Sequence, residues 1–271
     1  MDLTQTPRSA DYLARLEAFI AEHVDPVAEL PDTDRRIVER LKAKAQAEDL
    51  WNLNVRHADY GPGLTSLEYA PIAEVLGTSR LAQEATNTDA PSSINGDALI
   101  TYGSAEQKAR WLEPQLAGKV RSAFAMTEPD VASSDASNMA MSAHRDGDGW
   151  VLNGSKWWIS GVLHPNCAYL MTVANTVAEE GATASRHRKH TVFLVPRDAP
   201  GLEVVRNLSK FGYTDDDGHC ELRFDTVRVL DDAILGDVGD GFAIGQARLG
   251  PARVQHCMRT IGVAEQALTL M

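Results

Sequence analysis

The sequence predicts an α+β chain: an N-terminal helical domain, a middle antiparallel β-barrel domain and the start of a C-terminal helical bundle. Three observations predict it. Apolar residues recur at helical spacing up to about Gly118. From Val120 they gather into short runs rich in branched and aromatic residues, separated by turn residues. From Gly241 the helical period returns. The expected domains are therefore 1–119, 120–238 and 239–271.

Leu13, Leu16 and Ile20 share one face of a first helix, as do Ile37, Val38 and Leu41 in a second that runs toward Trp51. A third follows Thr65 through Leu76, and Pro71 inside it is expected to kink or divide it. Ile94, Ala98 and Leu99 give another helical stretch with Gly103 as its cap. Ser104 followed by Gln107 is a capping-box pattern, opening a helix that ends near Gly118.

In the middle region RSAFAMT, WVLNGSKWWIS, CAYLMTVAN, TVFLVP, LEVVRNL and HCELRFDTVRV read as strands. Asn153-Gly154 suits the type I′ turn of a hairpin inside the second of these. Residues 179–190 are polar and charged and read as a mobile loop. The last helical pattern runs from Phe242 through Ile244, Leu249, Val254, Met258, Ile261, Ala264 and Leu268 to Met271. Its apolar face needs a cover, so a further domain or another chain is expected to supply one.

Lys and Arg total 26 against 38 Asp and Glu, a net charge of −12. That balance disfavours sequence-independent nucleic-acid binding, which needs a cationic footprint, and docking on anionic membranes. The N-terminus carries acidic residues and no apolar core, so no signal peptide is expected. No apolar run approaches the roughly 20 residues a membrane helix requires. Cys167, Cys220 and Cys257 are scattered and lack metal-ligand spacing, which points to reduced thiols in the cytoplasm. His57, His219 and His256 look isolated, and His187 and His190 with their basic neighbours read as a solvated loop rather than a metal site.

Two segments on the β runs are more specific. FAMTEPDVASSD (Phe124 to Asp135) followed by NGSKWWISG (Asn153 to Gly161) resembles the paired flavin-contacting signatures of the acyl-CoA dehydrogenase family. YGSAEQKARWLEPQLAG before them and LGPARVQHCMRTIGVAEQAL after them extend the match. The last resembles the branch related to human members ten and eleven. The resemblance covers nearly the whole chain, into the first helix of the C-terminal domain.

The resemblance implies an FAD cofactor and carries over individual residues. Phe124, Ala125, Met126 and Thr127 would lie along the flavin, where a strand end offers N–H, C=O and hydroxyl groups to a heterocycle edge. Ser134 aligns with the serine that touches cofactor pyrophosphate and acyl-CoA, and Ser133 stands where the family usually has glycine. Turn hydroxyls and N–H groups can solvate such an anion. Trp158, Ile159 and Ser160 would address the N5 and O4 side of the ring, with Ser160 in place of the common threonine. Trp157 is expected on the opposite strand face. Arg253 matches an arginine near CoA. Read alone, these segments favour a core strand, a capped surface turn and a surface helix arginine.

The implied activity is α,β-dehydrogenation of an acyl-CoA thioester, with electrons passed to an electron-accepting flavoprotein, in fatty-acid or related acyl-CoA breakdown. An acyl-CoA oxidase is a mechanistic variant. Some family members place the catalytic glutamate near Ala252, which is no carboxylate here, so the base is expected beyond Met271. The 271-residue chain alone is expected to bind FAD weakly or not at all, and its activity alone is not implied. The family also implies a homodimer or homotetramer. The competing reading is a non-catalytic flavin- or acyl-CoA-binding or assembly subunit that lacks the base-bearing bundle. A DNA-associated relative is opposed by the net charge.

Overall fold

The computed structural model describes residues 4–28, 35–176 and 185–271. The chain divides into two compact units, Met1–Ser93 with Gly250–Met271, and Ile94–Leu249.

In the first unit, helix α1 (Pro7–Phe19) begins with proline at its first position, and the Thr6 hydroxyl caps it by accepting from the Ser9 N–H at 3.2 Å. A π-turn over Ile20–Val24 extends it. Helices α2 (Arg35–Ala47), α3 (Ser66–Gly77) and α4 (Arg80–Ala85) follow. Thr65 and Glu68 close a reciprocal capping box on α3. That helix runs through Pro71 as one element, where the sequence predicted a kink or a division. Leu16, Phe19, Leu41, Tyr69, Ile72 and Leu76 bury their apolar faces in a common core, with Met258 packed against it.

The Gly250–Leu270 part of the last helix meets α3 at backbone distance. A Cβ on Gly77 would stand 2.1 Å from the Arg259 carbonyl oxygen, and one on Gly262 1.9 Å from that of Glu74. These glycines are there because nothing larger fits.

Among its described residues the second unit carries α5 (Ser92–Tyr102) from Ile94 on, a helical stretch with α6 (Ala105–Gln107) and α7 (Glu113–Leu116), eight strands and the start of α8 (Gly241–Leu270). The Ser104–Gln107 capping box forms as the sequence implies. Gln107 does more, because its side-chain amide also donates to the Asp232 and Ile234 carbonyls, each at 2.7 Å.

The strands are β1 (Arg121–Ala125), β2 (Ser142–Asp146), β3 (Gly149–Ser160), β4 (Cys167–Asn175), β5 (His190–Pro196), β6 (Leu202–Asn207), β7 (His219–Leu230) and β8 (Ile234–Leu235). Their order is β6-β7-β3-β2-β4-β5-β8, with β1 added on β4. The sheet is therefore open rather than a closed barrel, since β6 and β8 end the path. It is also mixed: β1 and β2 pair with β4 in parallel, and the other ladders are antiparallel. Ala123, Leu152, Leu170, Phe193, Leu222 and Val227 are among the residues that fill its core.

All six sequence runs are strands, but the hairpin lies elsewhere. Asn153-Gly154 sits inside the continuous strand β3, and the β2–β3 turn is Gly147-Asp148, enclosed by the Asp146–Gly149 pair. Gly147 takes φ +60°, the first central position of a II′ turn. Asn153 instead faces a bulge in β7, where its Oδ1 accepts the Thr226 N–H at 2.8 Å. Gly154 lets β3 pass close to Met141, whose Cγ lies 2.8 Å from where a Cβ would sit.

Residues 179–184 of the expected mobile loop lie outside the described residues. Beyond them Arg186–Arg188 form a single 3₁₀ turn, and His190 is a fully buried strand residue rather than a solvated one. Among the described residues no helix is long and apolar enough to cross a membrane, and no group of His, Cys, Asp or Glu is arranged to hold a metal. All three cysteines are free, with Cys257 exposed; burial pushes the Cys167 thiol up to about 11.

Candidate functional site

The exit of β1 and a bulge in β3 are tied together. Lys156 pairs with Leu222 and Ile159 with Cys220, so Trp157 and Trp158 together oppose only Glu221. Such a bulge bends its strand and re-aims side chains. Trp157 donates its N–H to the Thr127 carbonyl at 2.9 Å, and the Thr127 hydroxyl donates back to the Trp157 carbonyl at 2.6 Å. Trp158 takes φ +55°, a costly conformation for a bulky side chain, and remains 43% exposed. A half-exposed indole on a strained backbone is the mark of a surface shaped for something. The expected alternation also fails here: the two indoles lie near each other, centroids 6.4 Å apart at 57°.

Beneath the bulge a buried ion pair fixes the backbone. Lys156 is fully buried and its ammonium donates to the Met126 carbonyl and to Glu128 Oε1, both at 2.8 Å. The Glu128 carboxylate also accepts the Ala140 and Met141 N–H groups at 2.7 and 3.0 Å. Burial pulls the Lys156 pKa down to about 8, against the opposing pull of the Glu128 charge. His190 is buried nearby in the same field; its Nε2 lies 3.0 Å from the Met139 carbonyl, and burial lowers its pKa. The pair staples the strand end that carries Met126 and Thr127.

Ser160 is the last residue of β3 and pairs directly with His219. Its hydroxyl lies 2.9 Å from His219 Nδ1, and the His219 ring sits 6.4 Å from that of Trp158. His219 is thus partnered, against its isolated look in the sequence.

The remaining sequence candidates divide. Ala125 and Ile159 are core residues, so only their main chain is available to a ligand. Phe124 lies under the buried guanidinium of Arg248, 3.9 Å from the ring centroid. Arg248 Nε donates to Asn95 at 2.6 Å, and Asn95 leads through Ser122 and Gln115 to Tyr169. Burial pulls the Arg248 pKa down to about 9. The Ser133 hydroxyl is spent on the Glu128 backbone, donating to its carbonyl at 2.9 Å and accepting its N–H at 2.8 Å. Ser134 is exposed. Asp135 beside it is held below the usual carboxylate range, first by the Ser137 hydroxyl and N–H, and also by Arg186, which bonds both residues. Arg253 belongs to the first unit and is exposed, next to the buried Ala252.

Within the second unit the structure therefore gathers Met126, Thr127, Trp158 and Ser160, while the Ser133 hydroxyl is engaged by the Glu128 backbone. An exposed indole, the Ser160 hydroxyl and strand-end main chain form a set of groups that suits a flat ring with a polar rim, as a flavin is. Sequence reasoning missed Lys156, His219 and Arg248. A lysine inside an otherwise branched and aromatic strand was the available signal for the first.

Comparison with known proteins gives a consistent result. The family model "Acyl-CoA dehydrogenase, N-terminal domain" matches residues 6–119, and "Acyl-CoA dehydrogenase, middle domain" matches 123–227. The chain is 45% identical to the probable acyl-CoA dehydrogenase FadE2 of Mycobacterium tuberculosis, covering 100% of this chain and 68% of that protein. It is 44% identical to acyl-CoA dehydrogenase family member 11 of Gallus gallus over 98% of this chain, but spans only 36% of that longer relative. A solved Mycobacterium abscessus structure described as an acyl-CoA dehydrogenase superposes with a TM-score of 0.91 at 44% identity, covering 98% of this chain and 69% of that one.

Proposed function

The chain belongs to the acyl-CoA dehydrogenase family, and from that premise we propose that it forms the helical and middle portions of a flavin oxidoreductase acting on acyl-CoA thioesters. Members of the family are FAD-dependent. When bound, the flavin supplies an acceptor for the β hydrogen of the substrate with its electron pair.

In this reading the chain's own residues hold and orient. Met126 and Thr127 present strand-end groups to the ring edge, Trp158 covers it, and Ser160 addresses it with a hydroxyl. Phe124, Ala125 and Ile159 contribute main chain. The hydroxyl of Ser133 is committed to Glu128, so that residue has only main chain to give. Ser134 is assigned to cofactor pyrophosphate and acyl-CoA, and Arg253 to the CoA side, by the family resemblance. The α-proton acceptor is assigned outside residues 1–271, because Ala252 carries no carboxylate. An electron-accepting flavoprotein as partner, a homo-oligomeric assembly, a cytoplasmic setting and the three-part division 1–119, 120–238 and 239–271 complete the proposal.

One observation carries it: the reciprocal Thr127–Trp157 bonds join the two family signatures at a bulge that leaves Trp158 half-exposed. Titration with FAD is expected to quench Trp158 emission, an effect lost in Trp158→Phe, and to slow amide exchange in 121–127 and 157–160. Unchanged exchange in both segments at saturating FAD would sink the assignment.

A further inference from the structure

Ser160 and His219 form the terminal rung of the β3–β7 ladder, and the imidazole continues into charged groups. His219 Nε2 lies 2.6 Å from Asp215 Oδ2 and 2.8 Å from Lys210 Nζ, and Lys210 Nζ lies 2.7 Å from the same carboxylate oxygen. Asn207 fixes the backbone behind the ring, accepting the His219 N–H at 2.9 Å and donating to the Asp215 carbonyl at 2.9 Å. From β3 the ring meets Ser160 and Trp158, from residues 208–218 Asp215 and Lys210, and from β6 the neutral Asn207. With a serine, an imidazole and a carboxylate in line, the direction of the Ser160 hydrogen bond depends on which ring nitrogen carries hydrogen.

We propose that His219 is a positioning residue that sets the direction of the Ser160 hydroxyl, so that Ser160 donates to a bound flavin only while His219 Nδ1 carries a proton. The proposal rests on the flavin reading above. A seryl hydroxyl has one hydrogen to give. With hydrogen on Nε2 alone, that N–H donates to Asp215, and bare Nδ1 draws the Ser160 hydrogen inward. With hydrogen on Nδ1, the imidazole donates to the Ser160 oxygen, and the hydroxyl hydrogen faces outward to a ligand. The Asp215 carboxylate beside Nε2 accepts a hydrogen carried there, whereas Lys210, by donating to Nε2, favours the tautomer that keeps hydrogen on Nδ1.

The test uses the 271-residue chain with ¹⁵N-labelled histidine rings, followed by long-range ¹H–¹⁵N correlation over about pH 5–9. Millimolar FAD is expected to move the His219 Nδ1 signal toward the N–H position, and Ser160→Ala to abolish that response. FAD affinity should vary with pH by roughly two- to tenfold, the worth of one hydrogen bond. His219→Gln, whose amide donates without titrating, is expected to flatten that dependence while still binding FAD. Quenching of Trp158 by FAD with no His219 response, or an equal response in Ser160→Ala, overturns the proposal alone. FAD binding that leaves Trp158 emission and amide exchange in 121–127 and 157–160 unchanged places the flavin elsewhere and overturns the flavin reading, and the proposal with it.

Discussion

Thr127 and Trp157 exchange two hydrogen bonds across the gap between β1 and β3, at 2.6 and 2.9 Å. One is main chain to main chain, and the other depends on the Thr127 side chain. Thr127→Val keeps the shape and removes the hydroxyl, leaving the Trp157 carbonyl without that donor. A loss of about 1 kcal/mol is expected in urea denaturation, with Trp158 emission shifted as the bulge relaxes. Wild-type stability and an unchanged spectrum would mean that the hydroxyl holds nothing.

The buried Lys156–Glu128 pair is expected to behave asymmetrically. Lys156→Met leaves Glu128 buried without its cation and should cost about 3–5 kcal/mol, whereas Lys156→Met with Glu128→Gln should recover much of that loss. The lysine is more acidic in the folded chain, at about 8, than its ordinary value of 10.5. Between those values the unfolded chain binds more protons, so this group's contribution to stability rises with pH across that window and is lost as pH falls through about 8. Chemical denaturation of wild type against the double variant across that window reads the slope, which should vanish in the double variant.

His190 gives the acid-side counterpart. Burial lowers its pKa from 6.5, so below that value the unfolded chain takes up protons that the folded chain resists. Stability is expected to fall as pH drops below 6.5, and His190→Gln to flatten that limb. Urea midpoints at about pH 7.5 and pH 5.5 make the comparison, and equal slopes in both proteins would remove His190 as the cause.

Gly262→Ala in α8 tests packing against propensity. Alanine is the better helix former by about 1 kcal/mol, which alone predicts a more stable chain. The Glu74 carbonyl oxygen at 1.9 Å from the new Cβ predicts the reverse, a loss of about 1–3 kcal/mol as two backbones separate. Thermal melting decides the sign, and Gly77→Ala against the Arg259 carbonyl should lose a similar amount.

The helices and strands were legible in the sequence because their signals are local: the caps at Thr65 and Ser104, and the branched runs from β1 to β7. Asn153-Gly154 misled because one dipeptide serves both a turn and a close approach, and only the position of Met141 tells them apart. β2 escaped because SAHRD carries few branched residues and gains its place by pairing with β3. Of the candidate site, Thr127, Trp158 and Ser160 were named through the family pattern. Lys156 and His219 were not, since what they touch lies 28 and 59 residues away in sequence. The bonds of the Ser133 hydroxyl to the Glu128 backbone were not legible, because turns and anion sites use the same residues.

Gln107 couples the start of one helix to chain that does not yet exist when that helix is made. Its amide reaches carbonyls 125 and 127 residues downstream. At about 5–20 residues per second of translation, those acceptors leave the ribosome roughly 6–25 s after the glutamine. Until then the capping box alone must hold the turn, and the nascent helix waits for its anchor.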